Sequence, residues 1–374
     1  MDWFWKKPQP PQHALVFRHG ITSDTVRTTA VPAAHYLPSG QIEVDFSYDI
    51  PVSDAVQLDP QRPIYLSCDG GKSFQLSPNL PPGLVHANVQ DNVGWPTLPV
   101  RLPNGTLLLA SGFGWENHPC EKEDELRAQG FDVFGREQGN DGPTVAISHR
   151  AWKKTSHDNG RTWQFSEIEN FPIEFAQMGF YNADGYQLFD GTYVKSGYGA
   201  FKSPAGPKQC SFLLSTRDAQ TWSVVAIALD DGHGYCEPAL AQAPNGDLLC
   251  LMRTHEQRDL YLTRSTDNGK TWSPPYDSGL RGSTPWMTRS TDGHLVAVFG
   301  RRYSNYFPRT GLWAAVSKDH GQTWNQFPLV DRGTESFQAN GTVIPLPDGS
   351  CFAVYAYLNG EGIGSVRFHP DYHD

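Results

Sequence analysis

The sequence predicts an all-β chain: one domain, residues 1–374, folded as a six-bladed β-propeller of four-stranded antiparallel blades. Three observations carry this expectation. The composition is dense in turn formers and aromatics, a polar turn motif recurs five times, and a hairpin signal recurs six times in alternation with it.

Thirty-six glycines, 29 prolines and 12% aromatic residues, against four methionines, describe many short strands joined by many turns rather than helices. A formal charge of −10, with no basic run longer than two residues, excludes nucleic acid and acidic membranes as expected partners. The opening "MDWFWKKPQPPQ" has no apolar core of a signal peptide, and no 18-residue apolar run exists. A soluble chain is expected, either cytoplasmic or secreted with its leader removed. Six widely spaced cysteines with no CxxC pair read as buried free thiols, and neither a metal nor a cofactor is expected.

The polar motif appears as "SCDGGKSF" (67–74), "SHDNGRTW" (156–163), "STRDAQTW" (215–222), "STDNGKTW" (265–272) and "SKDHGQTW" (317–324). Its logic is structural: Asp accepts the backbone N–H groups of its own turn, Gly supplies positive φ, and the aromatic anchors the turn on the next strand. The 215–222 copy shifts its Asp by one place and has Ala219 where Gly is expected, so a distorted turn is predicted there. A calcium loop is the competing reading, but no copy carries the carboxylate that an EF-hand loop needs at its twelfth position.

The hairpin signals are "PSGQIE" (38–43), "PNGTLL" (103–108), "FDGTYV" (189–194), "PNGDLL" (244–249), "TDGHLV" (291–296) and "PDGSCF" (347–352). From each hairpin Gly to the next staple Asp the interval is 29, 53, 27, 21 and 26 residues, and the sixth unit has no staple. One supersecondary unit is thus used six times. "GIGSVRF" (362–368) and "ALVFRHG" (14–20) are expected to close the ring within one blade. The long interval in blade two holds about 25 extra residues, a rim insertion at about 113–142 in which "EKEDELRAQG" reads as a short helix ended by Gly130. This insertion is expected to form a lid or subsite, with a dimer contact as the alternative; the oligomeric state is open.

If the first strand of each blade lines the channel, residues about nine before and seven after each hairpin Gly share one rim, and the staples lie on the opposite face. The rim then carries Arg27 and the 45–54 loop from blade one, Asp91, Asn92 and Trp95 from blade two, and Tyr181, Asn182 and Tyr198 from blade three. Blade four adds Glu237 and Arg253, blade five Trp286, Arg301, Arg302 and Arg309, and blade six Gln338, Asn340, Tyr355 and Tyr357. Arginines converging on one pocket imply an anion, and the guanidinium fork suits a carboxylate. A salt bridge to a neighbouring carboxylate is the competing reading for each, including Arg253 with Glu237.

On these motifs the chain resembles the sialidase (neuraminidase) superfamily in a divergent, bacterial-type branch, with the staples looking like its Asp-boxes, or BNR repeats, over roughly residues 14–368. "CEPALAQAPNGDLLCLMR" (236–253) looks like the family stretch with a Glu before the first strand and an Arg after the second. The resemblance implies an exo-acting glycoside hydrolase that cleaves a terminal acidic sugar, sialic acid or a related keto-acid or uronic sugar, from a glycan. It implies Arg253, Arg302 or Arg309, and Arg27 in "VRTTAVP" as the carboxylate clamp, with Glu237 as organiser or base. Asp54 is the acid/base by spacing, with Asp91 the alternative, and Trp95 and Tyr181 are substrate-binding. The family's nucleophilic Tyr and its Glu fall where this chain has Phe337, Gln338 and Ala356, so Tyr357 or Tyr355 is the substitute nucleophile, or water attacks directly. Two alternatives stand beside this reading: a non-catalytic carbohydrate-binding or scaffold propeller, and a polysaccharide lyase drawing its base from Tyr181, Tyr198, His233 or His255.

Overall fold

The computed structural model describes residues 10–18, 32–46, 48–51, 58–61, 64–77, 99–112, 116–129, 131, 133–139, 142–147, 151–168, 175–180, 185–201, 208–254, 259–301, 309–333, 341–356 and 362–372. Six antiparallel sheets of these strands stand in a ring, a six-bladed β-propeller, with two smaller sheets outside the blades. Blade five shows the plan: Ser283–Arg289 innermost, then Leu295–Arg301, Thr310–Ser317 and Asn325–Gly333, each paired with the next. Blade four repeats it with Cys236–Gln242, Leu248–Arg253, Asp259–Ser265 and Tyr276–Arg281. In blade six Gly341–Pro345, Cys351–Ala356 and Gly362–Phe368 are completed by the N-terminal strand Gln12–Arg18, antiparallel to Gly362–Phe368. The expected closure of the ring within one blade is therefore what the structure has.

The second strands of blades four, five and six are buried on both faces, which is why they read as apolar runs instead of alternating. Residues 295–300 are all buried. Their side chains nevertheless alternate between neighbours: Leu295, Ala297 and Phe299 pack on Leu249 and Leu251 of blade four, while Val296 and Val298 pack on Val343 and Ala353 of blade six. The core is thus a set of blade-to-blade interfaces. Of the six cysteines, all free, Cys210, Cys236, Cys250 and Cys351 are buried as expected, whereas Cys68 is exposed and Cys120 half-buried.

In four of the five staples the Ser, Asp and Gly bonds are alike to within tenths of an ångström. In 265–272 the Ser265 hydroxyl donates to Asp267 Oδ1 (2.8 Å) and accepts the Gly269 N–H (2.8 Å); the Thr271 hydroxyl donates to Asp267 Oδ2 (2.6 Å), and Trp272 Nε1 donates to the Gly269 carbonyl (3.2 Å). Both carboxylate oxygens accept from their own turn, as the structural reading requires. In 215–222 the Ser role passes to Thr216, Asp218 keeps its two-residue offset, and Ala219 itself takes φ +63°, so the turn is one residue shorter.

Four of the five staples are also pressed against the preceding blade. A Cβ on Gly269 would lie 2.3 Å from Leu213 of blade three, one on Gly321 2.2 Å from Leu249 of blade four, and one on Gly71 2.7 Å from Phe352 of blade six. A cation on the preceding blade's third strand donates to a staple carbonyl: Lys153 to Ala219 (2.6 Å), Arg264 to His320 (2.6 Å) and Arg367 to Gly70 (2.9 Å). The motif is a joint between blades.

Gly269→Ala combines an unfavourable φ of +85° with overpacking against Leu213, and is expected to lower unfolding free energy by roughly 1–3 kcal/mol in urea titrations. The Asp267 carboxyl is held at about 2, chiefly by the Thr271 hydroxyl and backbone N–H and then by the Ser265 hydroxyl, against an ordinary value of 3.8. A carboxyl depressed in the folded state stabilises fully above its unfolded value and loses that contribution as pH falls from about 4 towards 2. Asp267→Asn is therefore expected to narrow the gap between urea midpoints measured at pH 7 and pH 3.

Candidate active site

Glu237 and Arg253 meet at the rim of blade four. Glu237 is the second residue of the first strand and Arg253 the last of the second. Cys236 is opposite Arg253 and Ala239 opposite Leu251, so three steps on one strand match two on the other, a β-bulge. Glu237 takes up the extra residue at φ +50°, a left-handed conformation costly for a side-chain-bearing residue. The Ser196 hydroxyl of blade three donates to the Pro238 carbonyl (2.7 Å), fixing the bulge from the neighbouring blade. The bulge aims Glu237 at Arg253, with Glu237 Oε2 2.6 Å from Arg253 Nε and both side chains about six-sevenths buried (13% and 14% exposed).

This contact is a close ion pair without the alignment of a linear hydrogen bond. Burial works against the Arg253 charge, and the Glu237 carboxylate more than offsets it, raising the guanidinium pKa. Glu237 holds the Nε side of the fork. The terminal Nη nitrogens of Arg253 donate to no acceptor among the described residues.

Tyr198, on the second strand of blade three, faces the pair. Burial first, and then the Glu237 charge, pushes its pKa up to about 12. It therefore remains a protonated phenol at neutral pH, able to donate a hydrogen bond. On the loop entering Glu237, Asp231 Oδ1 contacts His233 Nδ1 (2.7 Å), His233 Nε2 contacts the Tyr261 hydroxyl (2.9 Å), and the Tyr235 hydroxyl donates to Asp231 Oδ2 (3.2 Å). "DDGHGY" (230–235) carries this polar buttress in the sequence, where only its His had been singled out.

Arg301 and Arg309 of blade five turn away from this pair. Arg309 is 66% exposed and gives its fork to Asp331 of the outermost strand, with Nε 3.2 Å from Oδ1. The carboxylate it grips is the protein's own, and the structure does not bring it to Glu237. Arg301 donates to the Arg281 carbonyl (3.1 Å) and Gln326 (2.8 Å) and lies 3.4 Å from the Trp313 ring centroid; burial lowers its pKa to about 10. Tyr355 is a core residue, 3% exposed and packed on Gly364, where a Cβ would lie 2.6 Å from its ring. Arg27, Asp54, Asp91, Trp95, Tyr181, Arg302 and Tyr357 lie outside the described residues, as do Asn182, His255, Phe337, Gln338 and Asn340.

Within the channel a cavity of about 190 Å³ lies among Tyr186, Leu240, Trp286, Met287 and Val343. Its described lining holds no carboxylate, and Leu240 stands three residues down the strand from Glu237, so the chemistry belongs to the rim above it. The blade-two insertion stands on the same rim: Gly112 and Ala151, its two ends, are directly paired. It consists of a three-stranded sheet (Glu116–Pro119, Phe134–Gly139 and Gly142–Ile147) and the short helix Glu123–Ala128 around Leu126, Val133, Val145 and Ile147. The helix expected from "EKEDELRAQG" is present, and the extra segment runs on to Ile147. Because the insertion has its own core and paired ends, replacing 113–150 by a short Gly-rich turn is expected to leave the propeller's unfolding temperature within a few degrees, as followed by circular dichroism.

The sequence matches no curated protein. Among solved structures, a protein of unknown function from Dyadobacter fermentans superposes with a TM-score of 0.68 at 18% identity, covering 97% of this chain and 99% of that one. The intramolecular trans-sialidase of Ruminococcus gnavus gives 0.56 at 16% identity (95% and 96% covered), and the α-L-arabinanase of Penicillium chrysogenum 0.58 at 18% (97% and 98%). These likenesses are of fold. The BNR repeat-like domain model matches residues 135–358, more than half of the chain, and the chain belongs to that family.

Proposed function

We propose that this protein is an exo-acting glycoside hydrolase that cleaves a terminal acidic sugar, sialic acid or a related keto-acid or uronic sugar, from a glycan. The observation that carries the reading is the Glu237–Arg253 pair: a buried arginine pinned through Nε, its Nη nitrogens without an acceptor among the described residues, beside a carboxylate mounted on a left-handed bulge. An arginine held in that way offers a bidentate grip to a substrate carboxylate. Glu237 serves as organiser or base, and Tyr198, protonated at neutral pH, is a donor beside it. In this reading Arg27 and Arg302 complete the clamp, Asp54 or Asp91 is the acid, Tyr357 is the nucleophile of a retaining reaction, and Trp95 and Tyr181 cover sugar faces. The trans-sialidase likeness supports a sugar of this class.

A second reading is a neutral arabinoside as substrate. It is favoured by the pairing of Arg309 with Asp331, which removes one candidate arginine from the clamp, and by the arabinanase among the structural relatives.

The test is sugar release from sialosides, keto-acid sugars, uronides and α-L-arabinosides. Glu237→Gln is expected to reduce kcat by about 10²–10⁴-fold. Arg253→Ala is expected to raise KM on acidic sugars alone. Turnover confined to arabinosides would establish the second reading, and binding without turnover of any member would make the propeller a lectin.

A further inference from the structure

A cluster that the rim chemistry does not use lies in blade one. His35 on the first strand (Ala33–Tyr36) is directly opposite Glu43 on the second (Ile42–Asp45), and Asp45 is two residues further on the same face. Ile42 and Val44 point the other way, into the cluster with Phe352 and Val354 of blade six, so the three polar side chains lie on the face turned away from blade six. All three are buried, at 3%, 1% and 3% exposure, and one ligand atom from each lies within 4.8 Å of the others.

Two carboxylates buried side by side are costly. Asp45 Oδ1 is buried without a hydrogen-bond partner, a costly state for a carboxylate oxygen that water cannot reach. The other oxygen, Oδ2, is 3.4 Å from His35 Nε2, too long for the usual imidazole–carboxylate hydrogen bond. It does match the separation of two ligands on a tetrahedral ion with bonds of about 2.0–2.1 Å, which is about 3.3–3.4 Å.

We propose that His35, Glu43 and Asp45 bind a divalent cation of the zinc type, which ties together the two inner strands of blade one. One imidazole nitrogen and two carboxylate oxygens form a borderline-hard donor set suited to such an ion, with water able to complete the shell. The site stands at the base of the extension that leaves Asp45 for the rim, where 48–51 pairs with 58–61. The ion would anchor that extension whatever sugar the protein acts on.

The test uses the full chain, purified without a polyhistidine tag, loaded with zinc chloride and dialysed against metal-free buffer. Mass spectrometry is expected to find about one zinc per chain in the wild type and a small fraction of that in His35→Gln and Asp45→Asn. Folded wild-type protein retaining less than about a tenth of an ion per chain would overturn the proposal, as would variants that hold as much zinc as the wild type. The wild-type measurement decides even where a variant fails to fold.

Discussion

The contact on which this ring depends is the seating of Asp-box turns against the preceding blade. A propeller blade has no core of its own, since its buried side chains are divided between two neighbours, as Leu295 and Val296 show. Something must therefore fix the angle at which blades meet. The staple does so with two elements: a glycine whose missing Cβ admits Leu213, Leu249 or Phe352, and a carbonyl that accepts from Lys153, Arg264 or Arg367. Carbonyl and glycine lie within two residues of each other, so the same turn senses distance and direction.

This arrangement explains the division of labour between the two faces. The joint face is built from short, self-satisfied turns in which Asp, Ser and Thr bond to one another, and little there is free to meet a ligand. The opposite rim carries the longer connections: the paired 48–51 and 58–61 segments, the loop 230–235, and the insertion between Gly112 and Ala151. Rigidity on one face permits variation on the other, the usual relation between scaffold and functional loops.

The repeats, the closure by 362–368 and the chain's first strand, and the meeting of Glu237 with Arg253 were legible in the sequence, because each rests on local turn chemistry or on fixed spacing from a hairpin glycine. Less legible was what depends on side-chain direction. Arg309 and Asp331 lie 22 residues apart, and only the pairing of the third and fourth strands of blade five brings them together. The left-handed turn at Glu237 leaves no mark, since neither Glu nor the following Pro advertises positive φ. The His35, Glu43 and Asp45 cluster escaped a search for metal spacing because its ligands alternate along two strands, a period that also describes an ordinary solvent-facing strand.

The bulge at Glu237 has a twin. In blade five Ser283 is opposite Gly300 and Trp286 opposite Val298, with Thr284 at φ +48° where blade four has its glutamate. The same backbone deformation thus exists one blade further round the axis, carrying a hydroxyl in place of a carboxylate. A repeat architecture of this kind holds duplicate mountings for reactive groups, already shaped. For such a fold, exchanging one side chain at an existing mounting is a shorter evolutionary path to altered chemistry than building a new loop.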